Sequence, residues 1–412
     1  MTAKNNIPAG YKDSEVGIIP QEWEVKRLVD LCHNTGDYGI NAPAVPYRED
    51  LPTYLRITDI DGWGKFIETD KVSVDSPNSS QFILREGDIV FARTGATVGK
   101  TYLYDSKDGQ LVFAGFLIRF TPNSNKAIPY YIKASTETAS YWNWVRVISQ
   151  RSGQPGINSV EYGAMKLAVP PIGEQRKIAE ILGVWDEAIE KQSRLIERLE
   201  LRKRALMQRL LTGRTRLPGF IDDVQYKKLK PFIVEKSERN TNQTYTNILS
   251  VTNNRGFINQ AEQFDREVAS DNTANYKLVR KGQFAYNPSR VNVGSLDLLQ
   301  TYDLGILSPM YIVFETKPTM DSKFLYYQLK SGWFVGHIPM YVQGSVRDSL
   351  SFDGLENMRF WIPSLPEQKA IAEVLTTADD EIATNRKKLD ALRLQKRGLM
   401  QQLLTGKTRV KI

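Results

Sequence analysis

The run Gly95-Ala96-Thr97-Val98-Gly99-Lys100-Thr101 has the residue types of a phosphate-binding loop. Such a loop wraps an anion with backbone amides, and the wrap needs four residues between its glycines. Here there are three, and the matching stretch later in the chain, Val293-Gly294-Ser295, has no lysine. The expectation is therefore a strand–loop–strand presenting Arg93, Thr94, Thr97 and Lys100, not a nucleotide site. Asn287-Pro288-Ser289-Arg290 begins like the Asn-Pro-Pro-Tyr element of amino-methyltransferases, but the second proline and the aromatic are missing. No glycine-rich cofactor loop precedes it. With two histidines, His33 and His337, and one cysteine, Cys32, no His/Cys metal cluster and no Ser-His or Cys-His pair can be assembled. The carboxylates form no nuclease-like group. The residues point to recognition, with no catalytic and no metal-ligating set.

The loops do hold hydrogen-bonding chemistry suited to DNA. Arg and Lys pair with guanine O6/N7, and Asn and Gln with adenine N6/N7. Hydroxyls and backbone amides hold phosphates. In the first half the candidates are Arg93, Thr94, Thr97, Lys100, Gln150, Arg151, Ser152 and Gln154. In the second half they are Asn287, Ser289, Arg290, Asn292, Gln343, Ser345 and Arg347. Polar loops are also what any solvated surface carries, so their matching placement in the two halves is the more telling feature.

The elements that position these loops read mostly as strands. Residues 53–60 and 65–74 flank the turn Asp61-Gly62-Trp63-Gly64, and strands are expected at 87–92, 97–104 and 111–120. An aromatic-rich helix is expected at 128–147 and a loop at 151–160. The second half follows the same plan with loose similarity. There 246–258 answers 54–67, 282–296 answers 87–101, 322–334 answers the helix, and 343–355 answers the second loop.

Each half ends in a much better preserved stretch. Residues 174–216 and 367–409 align without a gap at an offset of 193 and are identical at 21 of 43 positions, so one architecture is used twice. Apolar residues recur at steps of four and three: Ile178, Leu182, Trp185, Ile189, Ile196, Leu199, Leu206 and Leu210, then Ile371, Leu375, Ala378, Ile382, Leu389, Leu392, Leu399 and Leu403. That spacing is a coiled-coil seam. It is interrupted at Gln192 and Lys203, and again at Asn385 and Lys396, polar positions suited to fixing register. Pro171 and Pro366 mark the starts, and Gly213 and Gly406 the ends. Each helix should run about 38 residues, ~57 Å at ~1.5 Å per residue. Residues 174–191 carry five acids and three bases, whereas 194–216 carry two acids and eight bases, and the second copy repeats this gradient. A parallel pair would set like charge on like; an antiparallel pair sets acid on base. The gradient also suits each helix's own dipole. The expected fold is α+β: two homologous mixed modules joined by two long helices in an antiparallel coiled coil, with pseudo-twofold symmetry. The segment at 15–23 resembles 217–225, which follows the first helix, so the N-terminal segment is expected beside the end of the second helix.

A length of 412 residues suggests two to three domains, and 41% hydrophobic content is enough for real cores. A net charge of +8 favours a polyanionic partner. A single cysteine excludes a disulfide framework, and no apolar run reaches ~18 residues. The expectation is a soluble cytoplasmic protein with no membrane role.

Ile19-Pro-Gln-Glu-Trp23, the helix openings VPPIGEQRKIAEIL and IPSLPEQKAIAEVL, and the closings LMQRLLTGRTR and LMQQLLTGKTR resemble the specificity subunit of type I restriction–modification systems over essentially the whole chain. The resemblance implies a target recognition domain at 1–170, a conserved spacer helix at 171–214, a second recognition domain at 215–364 and a second spacer helix at 365–412. Each recognition domain would read one half of a bipartite, asymmetric site in double-stranded DNA. The helices would set the gap and dock two methyltransferase (modification) subunits, which restriction subunits would join. The chain would itself be no enzyme and hold no cofactor. S-adenosylmethionine would belong to the modification subunits, and ATP and magnesium to the restriction subunits. Two other classes stay open: a methyltransferase or nuclease with its own recognition modules, and a coiled-coil adaptor that binds no DNA.

Overall fold

The computed structural model describes residues 7–150, 153–222, 224, 226–260, 272–342 and 349–411. The chain is mixed helix and strand and divides into two compact units, Met1–Gln192 with Lys388–Ile412, and Ser193–Lys387. Boundaries drawn at 170, 214 and 364 treat the helices as separate elements. The compact units instead cut through both long helices, because the seam residues belong to the cores of the modules.

In the first unit an antiparallel sheet has the strand order Asp37–Tyr38, Leu117–Phe120, Ile89–Ala92, Thr101–Leu103, with Ile118 opposite Phe91 and Phe91 opposite Thr101. A second four-stranded sheet orders Leu111–Phe113, Thr53–Leu55, Val72–Val74 and Ala44–Pro46, its first pair parallel. Helices α1 (Pro129–Ser135), α2 (Ala139–Ile148) and α3 (Ser159–Gly163) follow. The expected strands are thus shorter, and the expected single helix at 128–147 is two. Its break has a local cause: the Thr136 and Thr138 hydroxyls donate to the Lys133 and Ser135 carbonyls, and Thr138 then caps α2 by accepting from the Tyr141 amide. The run at 111–120 is interrupted by a tight turn at Ala114–Leu117. Part of the loop expected at 151–160 is the start of α3, whose cap is Asn158 paired reciprocally with Glu161.

The second unit repeats the antiparallel sheet in the same order: Ile233–Lys236, Ile312–Thr316, Phe284–Tyr286, Leu296–Leu298. Further strands pair as Leu249–Thr252 with Gly256–Asn259, and Lys277–Arg280 with Leu304–Leu307. Preceding its long helix are α5 (Ser322–Leu329), α6 (Gly332–His337) and α7 (Phe352–Asn357). The same break recurs here, with Ser331 capping α6. Each unit also has a two-stranded sheet at the helix start: Glu24–Arg27 with Lys166–Val169, and Tyr226–Lys228 with Arg359–Trp361.

The long helices are α4 (Ile172–Leu210) and α8 (Leu365–Leu403), each 39 residues. All sixteen seam residues are buried or half-buried. In the first unit Ile178 and Leu182 join a core with Ile19, Trp23, Met400 and Leu403. In the second, Leu210, Ile371 and Leu375 join the main core of the module. Ion pairs give the sense of packing. In the first unit Glu174 meets Arg409 and Asp186 meets Lys396. In the second, Glu200 meets Arg386, Lys203 meets Asp379 and Arg216 meets Glu367. As the α4 number rises the α8 number falls, so within each unit the two helical segments are antiparallel. The interrupting lysines are used the same way: Lys396 Nζ lies 2.7 Å from Asp186 and Lys203 Nζ lies 2.5 Å from Asp379, equivalent pairs of the repeat. Each aspartate also accepts a tyrosine hydroxyl, from Tyr130 and Tyr327 respectively.

The helix ends are fastened alike. Glu174 and Glu367 are completely buried. Arg409 grips Glu174 through Nε (2.7 Å) and Nη2 (2.9 Å), and Arg216 grips Glu367 through both nitrogens at 2.6 Å. The Trp23 indole adds a third donor to Glu174 at 3.0 Å. Each arginine is held above its ordinary pKa by its carboxylate. The neighbouring glutamines bind main chain. Gln175 accepts from the Ile128 amide and donates to the Lys126 and Pro170 carbonyls. Gln368 accepts from the Asp321 amide and donates to the Thr319 and Pro363 carbonyls. The N-terminal segment lies where 15–23 was expected: the Tyr11 hydroxyl donates to the Gly406 carbonyl at 2.8 Å, and Arg409 also reaches Glu22.

Candidate nucleic-acid interface

In the first module the strand Ile89–Ala92 runs straight into the loop at 93–99. The loop is a short 3-10 turn over Gly95–Thr97. The second candidate loop is laced to it: the Ile157 amide donates to the Arg93 carbonyl at 2.9 Å, the Gly95 amide donates to the Pro155 carbonyl at 3.1 Å, and Thr94 bridges Gly156. Two loops joined by residues 60 to 64 apart in sequence therefore share one tip. Buried hydroxyls hold it from behind. Tyr141 donates to the Gly99 carbonyl at 2.6 Å, and Tyr162 bridges the Gly99 amide and the Ala92 carbonyl. Gly99 has φ +89°, and a Cβ there would lie 2.7 Å from Val145. Its amide already donates to the Tyr162 hydroxyl and the Ala92 carbonyl, so it has no free N–H to offer an anion. Lys100 turns away as well, donating to the Ile60 carbonyl at 2.9 Å.

Arg93 is half-buried, with its guanidinium carbon 4.8 Å from the centroid of the Tyr38 ring, a cation–π contact. Its Nε is buried with no hydrogen-bond partner. Tyr38 is itself fixed by accepting from the Ser159 amide at 3.2 Å. Thr94 and Thr97 are half-buried, and Gln150 and Gln154 are exposed. Arg151 and Ser152 lie outside the described residues.

The second module has the same stitch. The Leu350 amide donates to the Pro288 carbonyl at 3.1 Å, as Ile157 does to Arg93. The loop closes on itself through Asn287 amide to Ser295 carbonyl (3.0 Å) and Ser295 amide to Arg290 carbonyl (3.1 Å). Gly294, with φ +97°, stands where Gly99 does in the first module. Ser289, Arg290 and Asn292 are exposed. Asn287 is 9% exposed and turned inward: its oxygen accepts from the Ser289 amide and its nitrogen lies 3.3 Å from Met310 Sδ. Gln343, Ser345 and Arg347 lie outside the described residues.

Three side chains at these tips escaped the sequence reading: Tyr38, Phe116 and Met310, all of them exposed. Phe116 sits inside an apolar run that reads as one buried strand, and only the Ala-Gly pair before it signals a turn. His337 stacks on Trp333 at 4.1 Å and its Nδ1 meets the Trp333 carbonyl, a packing role. Among the described residues no group of three or more His, Cys, Asp or Glu side chains is placed to hold a metal ion. Among them, too, no helix is long and apolar enough to cross a membrane.

Two like-built modules with differing polar tips, each closed by a copy of one helix, have the build of a recognition protein. The chain belongs to the family described as type I restriction modification DNA specificity domain, whose model matches it twice, over residues 20–201 and 220–394. It is 26% identical over 422 residues, 97% of each chain, to the specificity subunit named MjaX of a type I restriction enzyme of Methanocaldococcus jannaschii. It is 23% identical to the MjaVIII specificity subunit of the same organism, over 95% of this chain and 94% of that one. Among solved structures it shares its fold with the S subunit of a type I restriction–modification system from M. genitalium (TM-score 0.55, 14% identity, 98% of each chain). It also shares it with a chain from a study of assembly and conformational transition of the type I system (TM-score 0.54, 16% identity, covering 95% of this chain and 99% of that one). Its role is DNA sequence specificity.

Proposed function

We propose that this chain is the recognition subunit of a type I restriction–modification complex, and that each module reads one half of a bipartite, asymmetric site. What carries the reading is the repeated stitch, Ile157 to Arg93 and Leu350 to Pro288, which sets two differently composed polar loops on equivalent scaffolds. Exposed Gln154 faces base edges or phosphates in one half; Ser289, Arg290 and Asn292 do so in the other. The chain carries out no chemistry. It assembles with two modification subunits, which bind S-adenosylmethionine, and restriction subunits, which bind ATP and magnesium, join them. The two 39-residue helices act as the ruler and as the docking surface for the modification subunits.

Inserting one heptad in each helix lengthens both by ~10.5 Å, about three base pairs of B-DNA. Sequencing methylated sites in a host carrying the system should then show both half-sites unchanged and the gap between them altered. An unchanged gap with methylation retained rules out the ruler.

A further inference from the structure

We infer that Phe116 and Met310 are base-contacting residues, each meeting the methyl group of a thymine in the half-site of its module. The inference rests on the half-site reading above. Leu117 N–H closes the turn Ala114–Leu117 on the Ala114 carbonyl at 2.8 Å, and Tyr311 N–H closes Ser308–Tyr311 on the Ser308 carbonyl at 3.0 Å. The third residue of each turn is a large apolar side chain in water: Phe116 is 59% exposed and Met310 is 60% exposed. Each turn leads into a strand that pairs antiparallel with the strand ending at the candidate loop, with Leu117 opposite Ala92 and Ile312 opposite Tyr286. Both side chains therefore stand at the loop end of their sheet. The contacts agree, since the Arg93 amide donates to the Phe116 carbonyl at 3.0 Å and Asn287 Nδ2 lies 3.3 Å from Met310 Sδ.

Core packing does not call for this, since more than half of each side chain lies in water, although the Met310 sulfur also accepts from Asn287. The turns differ in sequence, Ala-Gly-Phe-Leu against Ser-Pro-Met-Tyr, and turn tips in water favour Gly, Asn, Asp or Ser. Yet both modules place a large, mostly exposed apolar side chain at the same turn position. In the major groove the apolar feature is the C5 methyl of thymine, while every other edge offers donors and acceptors. A polar loop with one apolar finger beside it can read a thymine next to hydrogen-bonded bases. Phe and Met differ in shape and reach, so the two halves need not read the same step.

The test starts from the sites selected out of a random duplex pool by the full chain, alone and with its modification subunit. Each thymine in turn is then replaced by deoxyuridine, which removes only the methyl group. One position in each half should lose about fourfold in affinity, the worth of ~0.8 kcal/mol for one buried carbon. Phe116→Ala should abolish the uracil sensitivity in one half and Met310→Ala in the other, each leaving the remaining half as it was; that untouched half also shows that the variant is folded. Phe116→Leu should keep part of the sensitivity. If uracil is tolerated everywhere, or if either alanine variant stays uracil-sensitive in its half, the thymine contact is wrong while the half-site reading stands. If no bipartite site is selected under either condition, both fall.

Discussion

Removing Arg409 or Arg216 should expose how strongly the helix ends are fastened. Glu174 and Glu367 have no exposed surface, and each accepts two charge-assisted hydrogen bonds from one guanidinium. Breaking a buried ion pair by deleting one partner costs ~3–5 kcal/mol, because the remaining charge is left desolvated. The lower end applies here. The Arg409 side chain is 36% exposed, so solvent screens part of the attraction, and Glu174 keeps the Trp23 indole and the favourable first turn of α4. A loss of ~3 kcal/mol corresponds to roughly a 150-fold rise in opening-limited exchange. Hydrogen exchange read by segment is the suitable assay, because two compact units need not melt as one. Arg409→Ala should speed exchange in residues 11–27 and 396–408, and Arg216→Ala in residues 213–229 and 365–371. Pairing each with Glu→Gln at its partner should restore part of the protection, since a neutral amide is less costly to bury. A rise below about fivefold, or a double variant no better protected than the arginine variant alone, would refute the buried-charge account.

Three further outcomes are expected. Gly213→Ala and Gly406→Ala should each destabilise by at least ~2 kcal/mol in urea unfolding, because φ is +70° at both and the new Cβ would lie 2.4 Å from Trp361 Nε1 or Pro20 Cδ; a loss under about 0.5 kcal/mol, the size of an ordinary surface change, would contradict the close approach. Lys203→Glu should cost ~1–2 kcal/mol by setting carboxylate against Asp379, and adding Asp379→Lys should recover more than half of it; thermal melts that show no recovery would disprove direct pairing. Burial pushes the Cys32 thiol up to about 12, leaving about one thiol in ten thousand ionised at pH 8. Iodoacetamide should then label the folded chain at least about a hundredfold more slowly than the urea-unfolded chain, and comparable rates would contradict the burial.

The long helices were legible because a 4-3 apolar spacing repeated at a fixed offset has few other physical meanings, and their charge gradient carried the sense of packing. Interrupting lysines read as register devices lie against Asp186 and Asp379. The strands were less legible. In 111–120 every apolar residue suggests one strand, and only Ala114-Gly115 hints at the turn inside it. The helix break at 136–138 depends on which hydroxyl captures which carbonyl, and that is a matter of geometry. At the interface, sequence could place the loops as units. It could not tell that Asn287 faces inward and Lys100 towards Ile60, or that Phe116 stands in water within a run that otherwise reads as core.

The glutamines that follow Glu174 and Glu367 hold their modules by main-chain atoms only: one amide and two carbonyls apiece. A peptide group is the same whatever side chain it carries. The glutamine sockets therefore put no demand on a module's side chains, and that demand falls on the neighbouring core and on Tyr130 and Tyr327, which reach Asp186 and Asp379 on the stem.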